Sequence, residues 1–461
     1  MAQLGSSVLW HESLPHRPRP EAARGELTAD VLIVGAGYTG LWAAYQLTAS
    51  DPSLDVAVVD AHDVAFGASG RNGGFAMTLL DFDLTRFATN WGDDAAAHAH
   101  RAVARSVIEI EDTVETERID ADLEATGLLR VATNPAQLGR IERELATMQR
   151  LGLDGFTLLD ADQTREQLDS PTYLGGLQEK HCVLVNPAKL AVGLADVLRR
   201  RGVRIYEGSP VLELVREPGG VRAFTPAATI VADTAIWATN AWAHRHPAAK
   251  GWSAPFYTYV VVTEPLSDAQ WESIGWRGRQ GVEDARNFVH YFRPTPDGRI
   301  LWGGTDAVYR FGGPISSRRD RHERIRRRLE RELVATFPQL GRVRFTHHWG
   351  GPIALTSRFV PRIGTFDGGR IHYAFGYSGH GVGPAHTAGR VLRDLVLDQD
   401  TDDRQICFVE RPQSSFPPEP LTWIGAELSR QLLQRQDRQM DAGHEVGAVD
   451  PFLLRLLERF S

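Results

Sequence analysis

The residues best suited to chemistry sit in three glycine-rich turns. The first reads Gly35-Ala-Gly37-Tyr38-Thr39-Gly40, between the apolar run Val31 to Val34 and a stretch of helix-forming residues. Gly35 permits a tight turn, Gly37 lets a diphosphate approach the backbone, and Gly40 lets the helix pack close to the strand. The helix N-terminus then offers unpaired N–H groups and a positive dipole end. A second apolar run, Val56 to Val59, ends in Asp60 and Ala61, about 20–25 residues beyond the turn, where a carboxylate can accept both hydroxyls of a ribose. The series strand, turn, helix, strand and acid predicts a dinucleotide-binding βαβ unit. A glycine-rich turn in another α/β fold would require neither the second strand nor Asp60.

The second turn, Phe66-Gly-Ala-Ser69-Gly70-Arg71-Asn72-Gly73-Gly74-Phe75, is too glycine-rich for helix or strand. It follows the βαβ unit at the place where a cofactor would lie, and a long loop inside a compact domain usually has a function. The third is Gly376-Tyr-Ser-Gly379-His380-Gly381-Val382-Gly383, which again opens a helix and suits a partly negative ligand group.

These turns need elements to hold them. Residues 1–28, with Pro15, Pro18 and Pro20, read as an extended arm. Residues 94–118 and 135–151 have helical spacing, with the short strand Gly127 to Thr133 between them. That block breaks the βαβ alternation and reads as the start of an inserted second domain. Pro187 opens a helix carrying Leu190, Leu194 and Leu198, and Gly202 closes it. Val203 to Tyr206, Val211 to Leu214, Thr229 to Ala232 and Ala235 to Ala241 supply strands. A second excursion, from about Ser253 to Val343, holds the strands Tyr257 to Thr263, Phe288 to Phe292 and Arg299 to Trp302. Pro296-Asp-Gly298 is a hairpin signal between the last two, and a helix over about 319–337 presents Ile325, Leu329, Leu333 and Phe337. Arg370 to Phe375 is the final strand. A tail of two helices follows Pro417, the last running from Phe452 to Phe460 with Asp450 and Pro451 as its start.

Composition narrows the function classes. At 461 residues the chain is long enough for two domains. A formal charge of −7 argues against a general nucleic-acid binder. The arginines from Arg318 to Arg331 alternate with acids around one apolar stripe and read as a solvated helix face. Cys182 and Cys407 are the only cysteines, which excludes a disulfide framework and a cysteine-based metal site. No run is apolar enough to span a bilayer and the first 20 residues lack a leader pattern, so a cytoplasmic enzyme without metal or membrane attachment is expected. Lysine occurs only at Lys180, Lys189 and Lys250.

Taken in order, the three turns, the Val-Asn-Pro-Ala-Lys-Leu helix start at 185–190 and the Ala238-Thr239-Asn240-Ala241-Trp242 strand end resemble the glycine oxidase, sarcosine oxidase and D-amino-acid oxidase superfamily of FAD enzymes. The Gly-Arg-Asn-Gly-Gly loop and the Pro-rich helical tail look most like the branch of γ-glutamylputrescine oxidases and aminophosphonate oxidoreductases. The resemblance implies an α/β fold: a discontinuous Rossmann-like FAD-binding domain (29–90, 180–252 and 344–410) and an α+β mixed-sheet substrate domain (91–179 and 253–343), flanked by the arm and a helical tail over 411–461. It also implies roles. Gly35, Gly37, Tyr38, Thr39 and Gly40 would hold the FAD pyrophosphate, and Asp60 with Ala61 the adenosine ribose. Ser69 to Phe75 would pass along the pyrophosphate and flavin, Val211 would face the adenine, and Ala238, Thr239, Trp242 and Gly376 would border the cofactor. Gly379, His380, Gly381 and Val382 would face the flavin edge.

Departures from that pattern sharpen the expectation. Sarcosine oxidases attach FAD through a cysteine at a position matching the region of Gly351, where this chain has none, so FAD is expected to be non-covalent. Their oxygen-activating lysine aligns with Trp302, and their carboxylate-binding basic residues with Met77 and Gly383. A plain α-amino acid is therefore a poor substrate, because its buried carboxylate would lack a partner. Tyr291 matches an active-site tyrosine and Asp306 falls where a substrate-side histidine stands. With His380 and Trp302 these are the candidate catalytic residues. The expected reaction is oxidation of the C–N bond of a small amine, with oxygen or another acceptor receiving the electrons. The alternatives are a flavoenzyme acting on a modified nucleic-acid base and a flavoprotein without amine oxidase activity; a nicotinamide-dependent dehydrogenase leaves the third turn without a role.

Overall fold

The computed structural model describes residues 8–15, 21–79, 83–366 and 368–444. Two large sheets organise them. The first has the order Arg362–Thr365, Ile371–Phe375, Ala228–Trp237, Gly25–Val34, Val56–Val59 and Arg204–Tyr206, with Glu213–Glu217 and Gly220–Phe224 as an antiparallel hairpin beside Ala228–Trp237. The pairings of Gly25–Val34 with Ala228–Trp237 and with Val56–Val59 are parallel. Both faces are covered, which is why these strands are continuous apolar runs rather than alternating ones. Helices Tyr38–Ser50, Pro187–Arg200 and Val382–Val396 pack on one side. Gly389 lets two of them cross closely, since a Cβ there would lie 2.8 Å from the Trp42 Cβ.

The second sheet runs Val308–Tyr309, Ala254–Thr263, Ile300–Gly304, His290–Pro294, Gly281–Asp284, Leu128–Ala132, Gly175–Glu179 and Phe156–Leu159, and Phe345–Leu355 pairs with Ala254–Thr263. The Pro296-Asp-Gly298 hairpin forms as expected, joining His290–Pro294 to Ile300–Gly304. Helix Glu323–Thr336 closes the far face with Ile325, Leu329 and Leu333. Its arginines pair along the helix: Arg326 with Glu323 and Glu330, Arg327 with Glu323, and Arg328 with Glu332.

Several expectations need correction. Residues 345–355 belong to the second sheet, not to the first domain, because ten register pairs tie them to Ala254–Thr263. Helix Asp93–Thr116 is contiguous with the inserted block in sequence but packs on the first domain. Its apolar residues Val103, Val107 and Ile110 join the core that includes Leu41 and Val391, and the Ser106 hydroxyl lies 2.7 Å from that of Thr387. The arm contains a helical turn, Leu9–Glu12, and the first strand begins at Gly25. The strand expected at Val211 starts at Glu213. Helix Leu421–Asp441 forms in the tail; the expected helix Phe452 to Phe460 lies outside the described residues.

Candidate functional site

The three turns converge. Gly35 has φ +115°, and a Cβ there would lie 2.5 Å from the Ala238 carbonyl oxygen. A Cβ on Gly40 would lie 1.9 Å from the Gly35 oxygen, so the helix sits as close to the turn as glycine allows. The Ser69 hydroxyl of the second turn accepts from the Tyr38 N–H at 2.9 Å and lies 3.0 Å from where a Gly37 Cβ would stand. The Thr39 and Tyr377 hydroxyls are 2.7 Å apart, tying the first turn to the third. Asn240 Oδ1 accepts from the Gly376 N–H at 3.1 Å, tying the strand end at Ala238 and Thr239 to that same third turn. Gly379, His380 and Gly381 then lead into helix Val382–Val396.

Asp60 ends its strand as expected. Its two oxygens accept from the N–H groups of Ala36 at 2.7 Å and His62 at 2.8 Å. Burial pushes its carboxyl up to about 6 against the pull of those two donors. The Ser209 N–H donates to the Asp60 carbonyl at 2.6 Å, which brings Val211 alongside. Trp242 borders the second turn through Phe66, ring centroids 6.4 Å apart. A dinucleotide fits this ground. The glycines leave the space that side chains would fill, and the buried Thr239 hydroxyl has no hydrogen-bond partner.

The second turn is braced from four directions. Trp10 Nε1 donates to the Asn72 carbonyl and Trp349 Nε1 to the Arg71 carbonyl, each at 2.9 Å. Arg71 pairs with Asp320. Arg293, 0% exposed, donates to the carbonyls of Val185 at 2.7 Å and Gly74 at 3.2 Å. Burial lowers its pKa to about 10, and no carboxylate among the described residues lies within 4 Å of it. Asn72 Oδ1 accepts from the Gly74 N–H, and Phe75 sits edge-on to Tyr291, centroids 6.0 Å apart.

Tyr291 is therefore turned toward the loop. A Cβ on Gly73 would lie 3.0 Å from its ring, and one on Gly303 would lie 2.6 Å from its hydroxyl. Burial pushes the phenol pKa up, so it stays protonated and acts as a hydrogen-bonding group. Burial lowers the pKa of His380. Two expected catalytic residues are not there. Trp302 pairs with Phe292, not with Tyr291, and points to the opposite face, 1% exposed, its ring stacked on Phe292 at 4.3 Å and packed against Phe337. An ungapped alignment that is one residue out of phase reverses the face of a strand. Asp306 bonds Arg430 of the tail helix at 2.9 Å, so its charge is already matched by an element whose position no local pattern reveals. Met77 and Gly383 abut each other: a Gly383 Cβ would lie 2.8 Å from the Met77 carbonyl.

Sequence reasoning missed the acids on Tyr291's own face. Register places Glu283 opposite Tyr291 and Arg130 opposite Glu283 on the next strand. Arg130 Nε donates to Glu283 at 2.6 Å, and its guanidinium also pairs with Glu144 of helix Pro135–Arg150. Burial opposes the Arg130 charge, but the two glutamates outweigh it and hold it protonated. Glu179 accepts from the Thr78 hydroxyl at 2.7 Å, and burial pushes it up to about 7. The signal was present, since a charge inside the apolar run Leu128-Leu129-Arg130-Val131 requires buried partners.

Comparison with known proteins agrees with this ground plan. The family model described as FAD dependent oxidoreductase (DAO) matches residues 30–395. Gamma-glutamylputrescine oxidoreductase of Escherichia coli is 34% identical over 394 residues, covering 85% of this chain and 88% of the relative. Glycine oxidase of Bacillus licheniformis is 24% identical over 383 residues, covering 80% and 93%. Among solved structures, glycine oxidase from Geobacillus kaustophilus superposes with a TM-score of 0.69 at 20% identity over 84% of this chain and 100% of that one. With the dinucleotide ground at Gly35 to Asp60 and a family match across most of its length, the chain is a member of the DAO family of FAD-dependent oxidoreductases.

Proposed function

We propose that this oxidoreductase removes two electrons from the C–N bond of a small amine, giving an imine that water hydrolyses to an aldehyde or ketone. The observation that carries the reading is the pairing of Tyr291 with Glu283 on the sheet face turned to the cofactor loop. FAD, when bound, supplies the two-electron acceptor. The residues for holding it are Gly35 to Gly40, Asp60, Ser69 to Phe75, Thr239 and the turn before Val382. The Tyr291 hydroxyl orients the amine with its C–H toward the loop, and Glu283, held by Arg130 at 2.6 Å, borders that position on the next strand. The C–N bond is oxidised from the neutral amine, so the ammonium proton passes to solvent before the C–H is broken. Met77 and Gly383, which stand next to each other, carry no cation for a substrate carboxylate. The name of the 34% identical relative, an oxidoreductase of gamma-glutamylputrescine, supports an amine rather than an α-amino acid.

We further propose that FAD is held without a covalent bond. Cys182 is buried against Met77 and Leu128 with its thiol pKa pushed up by burial, and a thiol in that state is unreactive. Among the described residues no helix is long and apolar enough to cross a membrane, and the two unpaired cysteines suit a reducing cytoplasm.

Anaerobic mixing with a panel of amines, amino acids and aminophosphonates tests the activity. Bleaching of the flavin band near about 450 nm by amines, and weakly by α-amino acids, is expected. Full FAD occupancy with no bleaching by any member of the panel would leave a flavoprotein of another activity. Three arginines of the Glu323–Thr336 helix pair with its own glutamates, Arg326 with Glu330, Arg327 with Glu323 and Arg328 with Glu332, which supports a solvated helix face over a nucleic-acid contact.

A further inference from the structure

Tyr291, Glu283 and Arg130 occupy successive strands, and Glu179 lies on the next one, opposite Leu128 and on the same face as Arg130. With strands about 4.8 Å apart, this row extends about 14 Å from the Tyr291 strand to the Glu179 strand. Beside Arg130 lies a narrow cavity lined by Thr78, Leu84, Phe87, His100, Glu144 and Glu179. Glu144 is 3% exposed, and its Oε1 has no hydrogen-bond partner. Arg130 pairs with Glu144, and the Thr78 hydroxyl serves one oxygen of Glu179. His100 adds no charge, since burial lowers its pKa to about 4. One guanidinium thus faces Glu144, Glu179 and Glu283, and a buried carboxylate oxygen is left unmatched, a costly arrangement unless a donor fills it.

We propose that Glu144 and Glu179 form a distal cation subsite that takes a second ammonium group of the substrate, selecting diamines and longer polyamines over monoamines. An ammonium group is about the size of a water molecule, which suits a narrow cavity, and it brings both the missing charge and a donor for Glu144 Oε1. This inference rests on the amine-oxidising reading of the Tyr291 face.

The test uses FAD-loaded, anaerobic protein and matched straight-chain monoamines and α,ω-diamines of increasing length, with spermidine as a triamine. Binding is followed by calorimetry and reduction by flavin bleaching. The longer diamines are expected to bind about tenfold or more tightly than the monoamines of equal carbon number. Glu144→Gln is expected to bring that ratio close to one. Glu179→Gln is the second variant, should loss of the Arg130 pair prevent folding of the first. Equal affinities for diamine and monoamine in the wild type, or a ratio that neither substitution changes, would overturn the subsite, because water then satisfies Glu144. Bleaching without a diamine preference removes the subsite and keeps the amine-oxidising reading. Tight diamine binding without bleaching removes that reading and keeps the subsite.

Discussion

Single residues set the terms for cofactor binding. Gly40 has no room for a side chain, since the carbonyl that an added Cβ would strike at 1.9 Å belongs to the Gly35 turn itself. Gly40→Ala should push the helix off the turn, destabilise the fold by about 1–3 kcal/mol and abolish FAD retention, read as flavin absorbance after purification. Asp60 makes a pH-dependent contribution. A carboxyl raised to about 6 favours its neutral form, so the FAD-free protein has this stability at low pH and loses it as pH rises through about 6. Ribose hydroxyls donating to the carboxylate favour the charged form instead. FAD affinity should therefore rise roughly tenfold between about pH 5 and about pH 7, and Asp60→Asn should flatten the profile in a fluorescence titration. A flat wild-type profile would separate this carboxylate from the cofactor. Trp302 shows the opposite lesson, for its type suits a flavin neighbour while its parity on the strand sends it to the core.

At the scale of elements, two segments outside the sheets brace the fold, one at the second turn and one on the second domain. The arm helix Leu9–Glu12 locks the second turn from behind. Besides the Trp10 bond to Asn72, His11 Nε2 lies 3.2 Å from the Ala65 carbonyl, and Ser13 Oγ accepts from Asn186 at 2.8 Å. Trp10 also packs edge-on against Trp349, which holds the same turn. Trp10→Ala should cost about 3 kcal/mol of local packing and speed FAD release on dilution, with the two sheets left folded by far-UV circular dichroism. Unchanged release would make the arm a passive strap. The tail helix Leu421–Asp441 is pinned to the second domain by Arg430 on Asp306, by Asp437 accepting from the Asn287 and Phe288 N–H groups at 2.9 and 3.1 Å, and by Asp441 on Arg286.

Across the whole molecule, a buried charge network joins those layers. His290 lies between Asp284 at 2.7 Å and Glu332 of helix Glu323–Thr336 at 3.0 Å, and Arg286 connects Asp284 to Asp441 of the tail. Burial disfavours the imidazolium, but the two carboxylates outweigh it and raise the His290 pKa to about 9. A raised histidine contributes stability that is complete below its ordinary value of about 6.5 and is lost as pH rises through about 9. The melting temperature should fall over that alkaline interval, and His290→Asn should lower it at pH 7 while removing that part of the alkaline slope. A wild-type melting temperature level from pH 6.5 to about 9 would show that His290 stays neutral in the fold.

What the amino-acid order determined by itself is what physics makes local. The turn at Gly35 to Gly40, its strands and Asp60 lie within about 30 residues of one another, and each residue answers a nearby backbone constraint, so the βαβ unit that forms the candidate cofactor ground is legible without neighbours. The Pro296-Asp-Gly298 hairpin is legible for the same reason. Tertiary structure alone assembled the proposed substrate face. Arg130, Glu144, Glu179 and Glu283 come from two strands before the first excursion ends, one helix, and one strand of the second excursion, and only sheet pairing sets them in a row beside Tyr291. It also assigned helix Asp93–Thr116 to the first domain and Phe345–Leu355 to the second sheet, since apolar faces and ladder bonds pair with whatever the completed chain presents to them, at any distance in sequence.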